Sequence, residues 1–191
     1  MSAASLRHLA WGVTNMDQLL FHPKVVHLPI ALAVLMPLFA GGAAFAYLRD
    51  WLDLRAWVIV LLLQGTLVGS GLIARYTGQA EEERVERIVP ERHIEAHEEA
   101  SELFIWTSAI VLALMAVPLA LGKGELRNAV VIFACVGSVV VLAFGYRAGE
   151  TGGRLVYEHG AANAYFGPAG ASPKSRIQAI DEYEEDADSD E

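Results

Sequence analysis

Cysteine is almost missing from this 191-residue chain. Cys135 is its single thiol, so no disulfide can form within it and cysteine usage says nothing about redox compartment. No CxxCH occurs, which excludes covalent c-type haem. No Walker loop, GxSxG or dinucleotide fingerprint occurs either, and Cys135 lies inside an apolar run with no evident catalytic partner, so a soluble-type hydrolase is disfavoured. Basic charge is short as well: 14 Lys and Arg against 23 Asp and Glu give a net charge of −9. That balance argues against nucleic acid as a partner and supplies no polybasic patch for anionic lipid.

What is present in excess is apolar sequence, 54% of all residues, gathered into blocks. Four of them, Leu28 to Leu48, Ala56 to Ala74, Leu103 to Gly122 and Ala129 to Gly145, contain no charged residue and are flanked by charge. Each is about as long as a bilayer core requires, the last being the shortest. The first 20 residues lack a continuous apolar core and the first long apolar run carries no small-residue cleavage pattern, so no cleavable signal is expected. The spacing of Leu6, Leu9, Ala10, Val13, Met16 and Leu20 predicts a short amphipathic helix on the membrane surface instead, with Trp11 as an interface anchor. The fold expected is all-α: an integral membrane four-helix bundle over residues 21–166, preceded by that amphipathic segment in 1–20. An acidic C-terminal tail, 167–191, ends in DEYEEDADSDE and is expected to be disordered.

The entrance to the first span, FHPKVVHLP at Phe21 to Pro29, is unusual. His22 is placed to cap the helix, Pro23 fits a first helical position, and Pro29 should bend the helix and free the carbonyl of Val25. Between the second and third spans, YTGQAEEERVERIVPERHIEAHEEASE suggests two short helices broken at Pro90, the second running into the third span. His93 and His97 are four apart on one helical face. Such a pair can bind one metal ion with Glu81, Glu82, Glu98 or Glu99, although a solvated charged helix would carry the same residue types. After the fourth span, glycines at 145, 149, 152, 153 and 160 suggest a tightly folded connection, with Val156 to His159 as a short helix at the interface.

Four spans joined by two short turns bring all six histidines, at 8, 22, 27, 93, 97 and 159, to one membrane face. Imidazoles at the end of a four-helix bundle can ligate haem iron axially from facing helices, or hold zinc, copper or non-haem iron with carboxylates. Transport is less well served, since Gln64 is the one strongly polar side chain in the spans. Arg49, Arg55, Lys123 and Arg127 stand in the two very short turns, which places those turns in the cytoplasm and the histidine face, with both termini, outside.

HPKVVHLPIAL, ARYTGQAEE, the histidine of IEAHEEA, and GGRLVYEHG resemble, in that order, the prokaryotic membrane proteins grouped as domain of unknown function 2231. The resemblance covers roughly residues 20 to 165. It implies a four-span bundle of undetermined biochemistry and, because members occur fused to Rieske or c-type cytochrome modules, membrane redox work. The family pattern falls on His22, His27, Gly78, Glu81, His97, Gly153 and His159, and leaves out His8 and His93. The leading expectation is a membrane redox subunit binding haem b, or a related metal centre, through His27 and His97, with His22 and His159 as further ligands or hydrogen-bond partners. An ion of zinc, copper or iron would use His27, His97 and Glu81. Electrons would pass between quinone and a membrane or peripheral redox protein. The alternatives are a non-catalytic assembly or scaffold subunit and a zinc- or copper-handling membrane protein.

Overall fold

An apolar segment in hydrocarbon can satisfy its own amides only by coiling or by closing a barrel. In the computed structural model, which describes residues 21–165, each of the four uncharged blocks falls in a long helix but for a residue or two at its end, and no strand occurs among the described residues. The expected N-terminal amphipathic helix and acidic tail lie outside the described residues.

The first span comprises α1 (Phe21–Val25) and α2 (His27–Leu48), divided at Val26. Pro29 explains the division. It has no N–H to offer the carbonyl of Val25, while Val26 N still donates to His22 O at 3.1 Å and Ile30 N to Val26 O at 3.3 Å, so the chain bends rather than breaks. A short turn follows, in which Asp53 Oδ1 accepts from Arg55 N, and a 3-10 turn (Leu54–Ala56) leads into α3 (Trp57–Val85). Pro90 starts α4 (Glu91–Ala120), and α5 (Glu125–Tyr157) completes the bundle. The neighbours α2·α3, α3·α4, α4·α5 and α5·α2 are all in contact, so the four spans form a closed antiparallel ring.

Lipid is as apolar as leucine, so such a bundle is held by close approach and polar contacts rather than by hydrophobic sorting. The packed centre is accordingly rich in small residues, Ala33, Ala40, Ala44, Ala74 and Ala134, with Ser70, Ser108 and Ser138 buried beside them. At Gly137 the helices meet so closely that a Cβ would stand 2.8 Å from Val111 Cγ2. Two side chains latch α3 to α4: Trp57 Nε1 donates to Met115 O at 2.8 Å and Gln64 Nε2 to Ser108 O at 3.0 Å. The outer surface is the greasy one, with Leu38, Leu62, Ile110 and Phe133 about two-thirds exposed. Water would not tolerate that surface and a bilayer requires it.

Two expectations are corrected. Residues 76–85 are not a separate short helix; α3 runs on from the second span to Val85. Nor do the glycines after the fourth span fold a tight connection. α5 continues through Gly145, Gly149, Gly152 and Gly153 to Tyr157, and the chain turns only at Gly160, whose φ of +71° suits glycine, before a 3-10 turn (Ala161–Tyr165). Glycine was misread because its usual role is punctuation. Here all four lie within the helix, and at Gly145 and Gly152 glycine makes room for neighbouring side chains that occupy the space of a Cβ.

The helices outrun the membrane. At ~1.5 Å per residue, the ends of α3 beyond Ala74, of α4 before Leu103 and of α5 beyond Gly145 project on the order of 15 Å past the apolar band, all on one side. Tyr76, Trp106 and Tyr146, strongly exposed, mark the interface there. The projecting ends have their own small core of Val89, Ile94, Leu155 and Ala161, packed with Val85. The described histidines lie in or beside this water-side extension.

Candidate histidine site

His22 does not cap its helix. α1 packs against α3, and the ring reaches across so that Nδ1–H donates to Ala74 O at 2.8 Å, with Thr77 Oγ1 at 3.2 Å. The carbonyl can only accept, so the proton belongs on Nδ1 and the lone pair on Nε2. The ring lies flat enough on Gly78 that a Cβ there would meet His22 Cε1 at 3.1 Å.

His97 repeats the arrangement in the other half of the chain. Its Nδ1 is 3.0 Å from Thr151 Oγ1 on α5, and that hydroxyl spends its own proton on Arg147 O or Ala148 O, so it accepts from the ring. The ring covers Gly152, where a Cβ would meet His97 Cε1 at 2.9 Å. Each histidine thus starts one arm of a helical hairpin and rests on a Thr-Gly pair, Thr77-Gly78 or Thr151-Gly152, at the end of the other arm. Burial, and after it the neighbouring His22 ring, hold the His97 imidazole below its ordinary proton affinity, while the Ala148 carbonyl acts in the opposite sense. The two rings are therefore within electrostatic reach of each other. Both Nε2 atoms are without a hydrogen-bond partner among the described residues.

His93 and His159 form a second pair. Their rings stack with centroids 3.8 Å apart and 21° between planes, and Arg92 Nε donates to His93 Nε2 at 3.2 Å. Desolvation, then His159, then Arg92 lower the proton affinity of His93, against the opposite pull of Glu158. The pair borders a cleft of about 180 Å³ that Thr151, Arg154 and Glu158 also line. Thr151 therefore faces His97 on one side and the stacked pair on the other.

The remaining candidates are His27 and Glu81. His27, at the first turn of α2, is exposed and takes no hydrogen bond from any described residue, so the ring beside His97 is that of His22. Glu81 is half-buried on α3, one turn beyond Thr77. Among the described residues no three of His, Cys, Asp and Glu converge as a metal cage, His27, His97 and Glu81 included. The histidine spacing, four apart at 93 and 97, brought no pair together; each of the two partners with a histidine of another element.

Thr77, Thr151 and Gly152 were missed as site residues. The signal was present as a Thr-Gly dipeptide recurring near the end of each second hairpin arm, in YTGQ and ETGG. It is short enough to pass as chance until the rings are seen lying on it. Of the glycines in the expected pattern, Gly78 is under a ring, whereas Gly153 has nothing within 4 Å of a Cβ and its neighbour Gly152 carries the contact.

No curated protein and no solved structure matches the chain. One family, described as Predicted membrane protein (DUF2231), matches residues 19–165, and the chain belongs to it.

Proposed function

We propose that this protein is a membrane redox subunit that holds haem b, or a related metal centre, at the water-side end of its bundle through His22 and His97, passing electrons between quinone and a partner protein. The observation that carries this reading is the matched state of the two imidazoles. In each, Nδ1–H is fixed by an oxygen of the neighbouring helix, and the Nε2 lone pair has no partner among the described residues. Fixing one ring nitrogen orients the other and sets its tautomer, the device by which metal-ligating histidines are usually held. Two imidazoles would suffice as protein ligands to haem iron, whereas a zinc or copper ion generally takes three or four protein ligands, so haem suits this donor set better. Bound haem would supply a one-electron couple. The chain's own part is to orient the rings and to keep their Nδ1 atoms protonated. The stacked His93/His159 pair borders Thr151, the acceptor of His97, and would tune that ring from the water side.

The histidine face is proposed to lie outside the cytoplasm, on the strength of the four basic residues in the two short opposite turns. A reporter fused to the C-terminus tests this: activity of a periplasmic reporter supports it and activity of a cytoplasmic one reverses it.

A scaffold role is the second reading, favoured by the same Nδ1 bonds, which tie α1 to α3 and α4 to α5 as helix-stapling side chains do. Replacement of His22 and His97 by Gln separates the two. A scaffold keeps its fold and partners; a redox subunit loses its optical spectrum.

A further inference from the structure

A groove of about 350 Å³ runs between α2 and α5 on the lipid-facing side of the bundle, near the histidine end. Its walls are Ile30 and Val34 on one helix and Leu142 and Gly149 on the other, and its polar groups are confined to Tyr146 and Glu150. The volume lies at the lower end of what small-ligand sites occupy, about 300 to 1,000 Å³.

The two glycines of the groove behave differently. A Cβ at Gly145 would meet Phe104 Cε2 at 3.1 Å and Ala33 Cβ at 3.2 Å, so helix packing accounts for that glycine. A Cβ at Gly149 would meet nothing within 4 Å. Glycine inside a helix costs about 1 kcal/mol relative to alanine, and no atom of the described residues uses the space that Gly149 leaves. The missing Cβ leaves open space on the α5 wall of the groove.

The polar end limits the occupant. Glu150 carries a carboxylate bonded to Arg154 Nη2 at 2.7 Å on the next turn, and among the described residues no Lys or Arg lines the groove. A phosphate headgroup would meet the carboxylate of Glu150 with no basic partner in the groove walls. A neutral head with carbonyl oxygens would meet a phenol able to donate to it, at the depth where tyrosine normally sits in the interface. Tyr146 by itself is an interface anchor; beside an apolar groove it becomes a headgroup donor.

We propose that this groove binds an isoprenoid quinone, its tail along Val34 and Leu142 and one head carbonyl accepting from the Tyr146 hydroxyl. The proposal rests on the redox reading for its purpose and on the groove alone for the binding. Glu150 and Thr151, the acceptor of His97, are neighbours along α5 about 100° apart round the helix, so a head held at Glu150 would sit at the height of the histidine site.

The test uses the full-length protein in phosphatidylcholine nanodiscs with decylubiquinone as the probe, together with an azido-quinone whose cross-links are mapped by mass spectrometry. The expected results are cross-links on α2 and α5 around Val34 and Gly149, a loss of quinone affinity of at least tenfold in Gly149→Leu, and a smaller loss in Tyr146→Phe. Gly149→Ala should leave the melting temperature unchanged or raise it. Should Gly149→Leu fail to fold, Val34→Trp closes the groove from the opposite wall and must lose affinity likewise. Wild-type affinity in both groove-filling variants overturns the proposal. So does displacement of the probe by phosphatidylglycerol, which would make the groove a lipid site, or conversion of a dimer to a monomer by Gly149→Leu without change in quinone binding, which would make it a contact between copies. Quinone binding in protein that shows no Soret band would end the haem reading and leave this one standing; a Soret band without quinone binding would do the reverse.

Discussion

The imidazole of His97 lies on Gly152, so close that a Cβ at that position would stand 2.9 Å from His97 Cε1. Real Cβ atoms do not approach so near, and the atoms met all belong to the His97 ring, so the ring is what has to shift. Gly152→Ala must therefore push the ring off its Thr151 acceptor. Gly153→Ala, one residue on and with nothing within 4 Å, is the control. We expect the first to lower stability by about 1 to 3 kcal/mol, as overpacking does, and the second to be neutral or stabilising, by up to about 1 kcal/mol, from helix propensity. Thermal melts of both variants in the same detergent decide it. Equal behaviour would mean that the ring is free to move.

Gly78→Ala should reproduce the effect at His22 in milder form. The closest approach there is 3.1 Å, so the ring has to give by a few tenths of an ångström. A melting temperature between those of wild type and Gly152→Ala is expected. A larger drop than in Gly152→Ala would contradict the ordering of the two contacts.

Gln64 makes a separate case. Its Nε2 donates to Ser108 O, but its Oε1 is buried with no partner among the described residues. Removing the side-chain amide loses an interhelical hydrogen bond worth about 0.6 kcal/mol and also removes an unsatisfied acceptor whose burial costs about 1 to 3 kcal/mol. Gln64→Leu is therefore expected to be neutral or stabilising in a melt. A loss above about 2 kcal/mol would show that Oε1 has a partner of its own, such as a bound water.

Acid should weaken the water-side extension. The folded proton affinity of His97 is depressed, so the folded state binds fewer protons than the unfolded one just below the ordinary imidazole value of about 6.5. That stability is fully present above pH 6.5 and falls away as pH drops toward the lowered folded value. His93 contributes in the same sense. Melting temperature is expected to fall between pH 7 and pH 5, and less steeply in His97→Gln. Identical slopes in the two proteins would count against a buried neutral His97.

Much of this arrangement could be read from residues alone. The four uncharged runs between Leu28 and Gly145 mark the spans, because a charge-free stretch of that length has few other stable homes than a bilayer. Two short turns then force the histidines to one end. What could not be read is which rings meet. His27 sits closer to the apolar run than His22, and its position suggested a place inside the bundle end. The bend at Val26 intervenes: His27 begins α2 exposed, while His22 on α1 is turned onto α3. The extent of α5 was hidden for a related reason. A glycine that stays helical for the sake of a neighbour's ring looks, in sequence, like a glycine that ends a helix.

The most direct test of the histidine site is a reduced-minus-oxidised optical spectrum of the purified full-length protein, expressed with a haem supply, beside His22→Gln, His97→Gln and His27→Gln. The account predicts a Soret band in the wild type that is retained in His27→Gln and lost in His22→Gln and His97→Gln. No Soret band in the wild type, with no metal by elemental analysis, would contradict it.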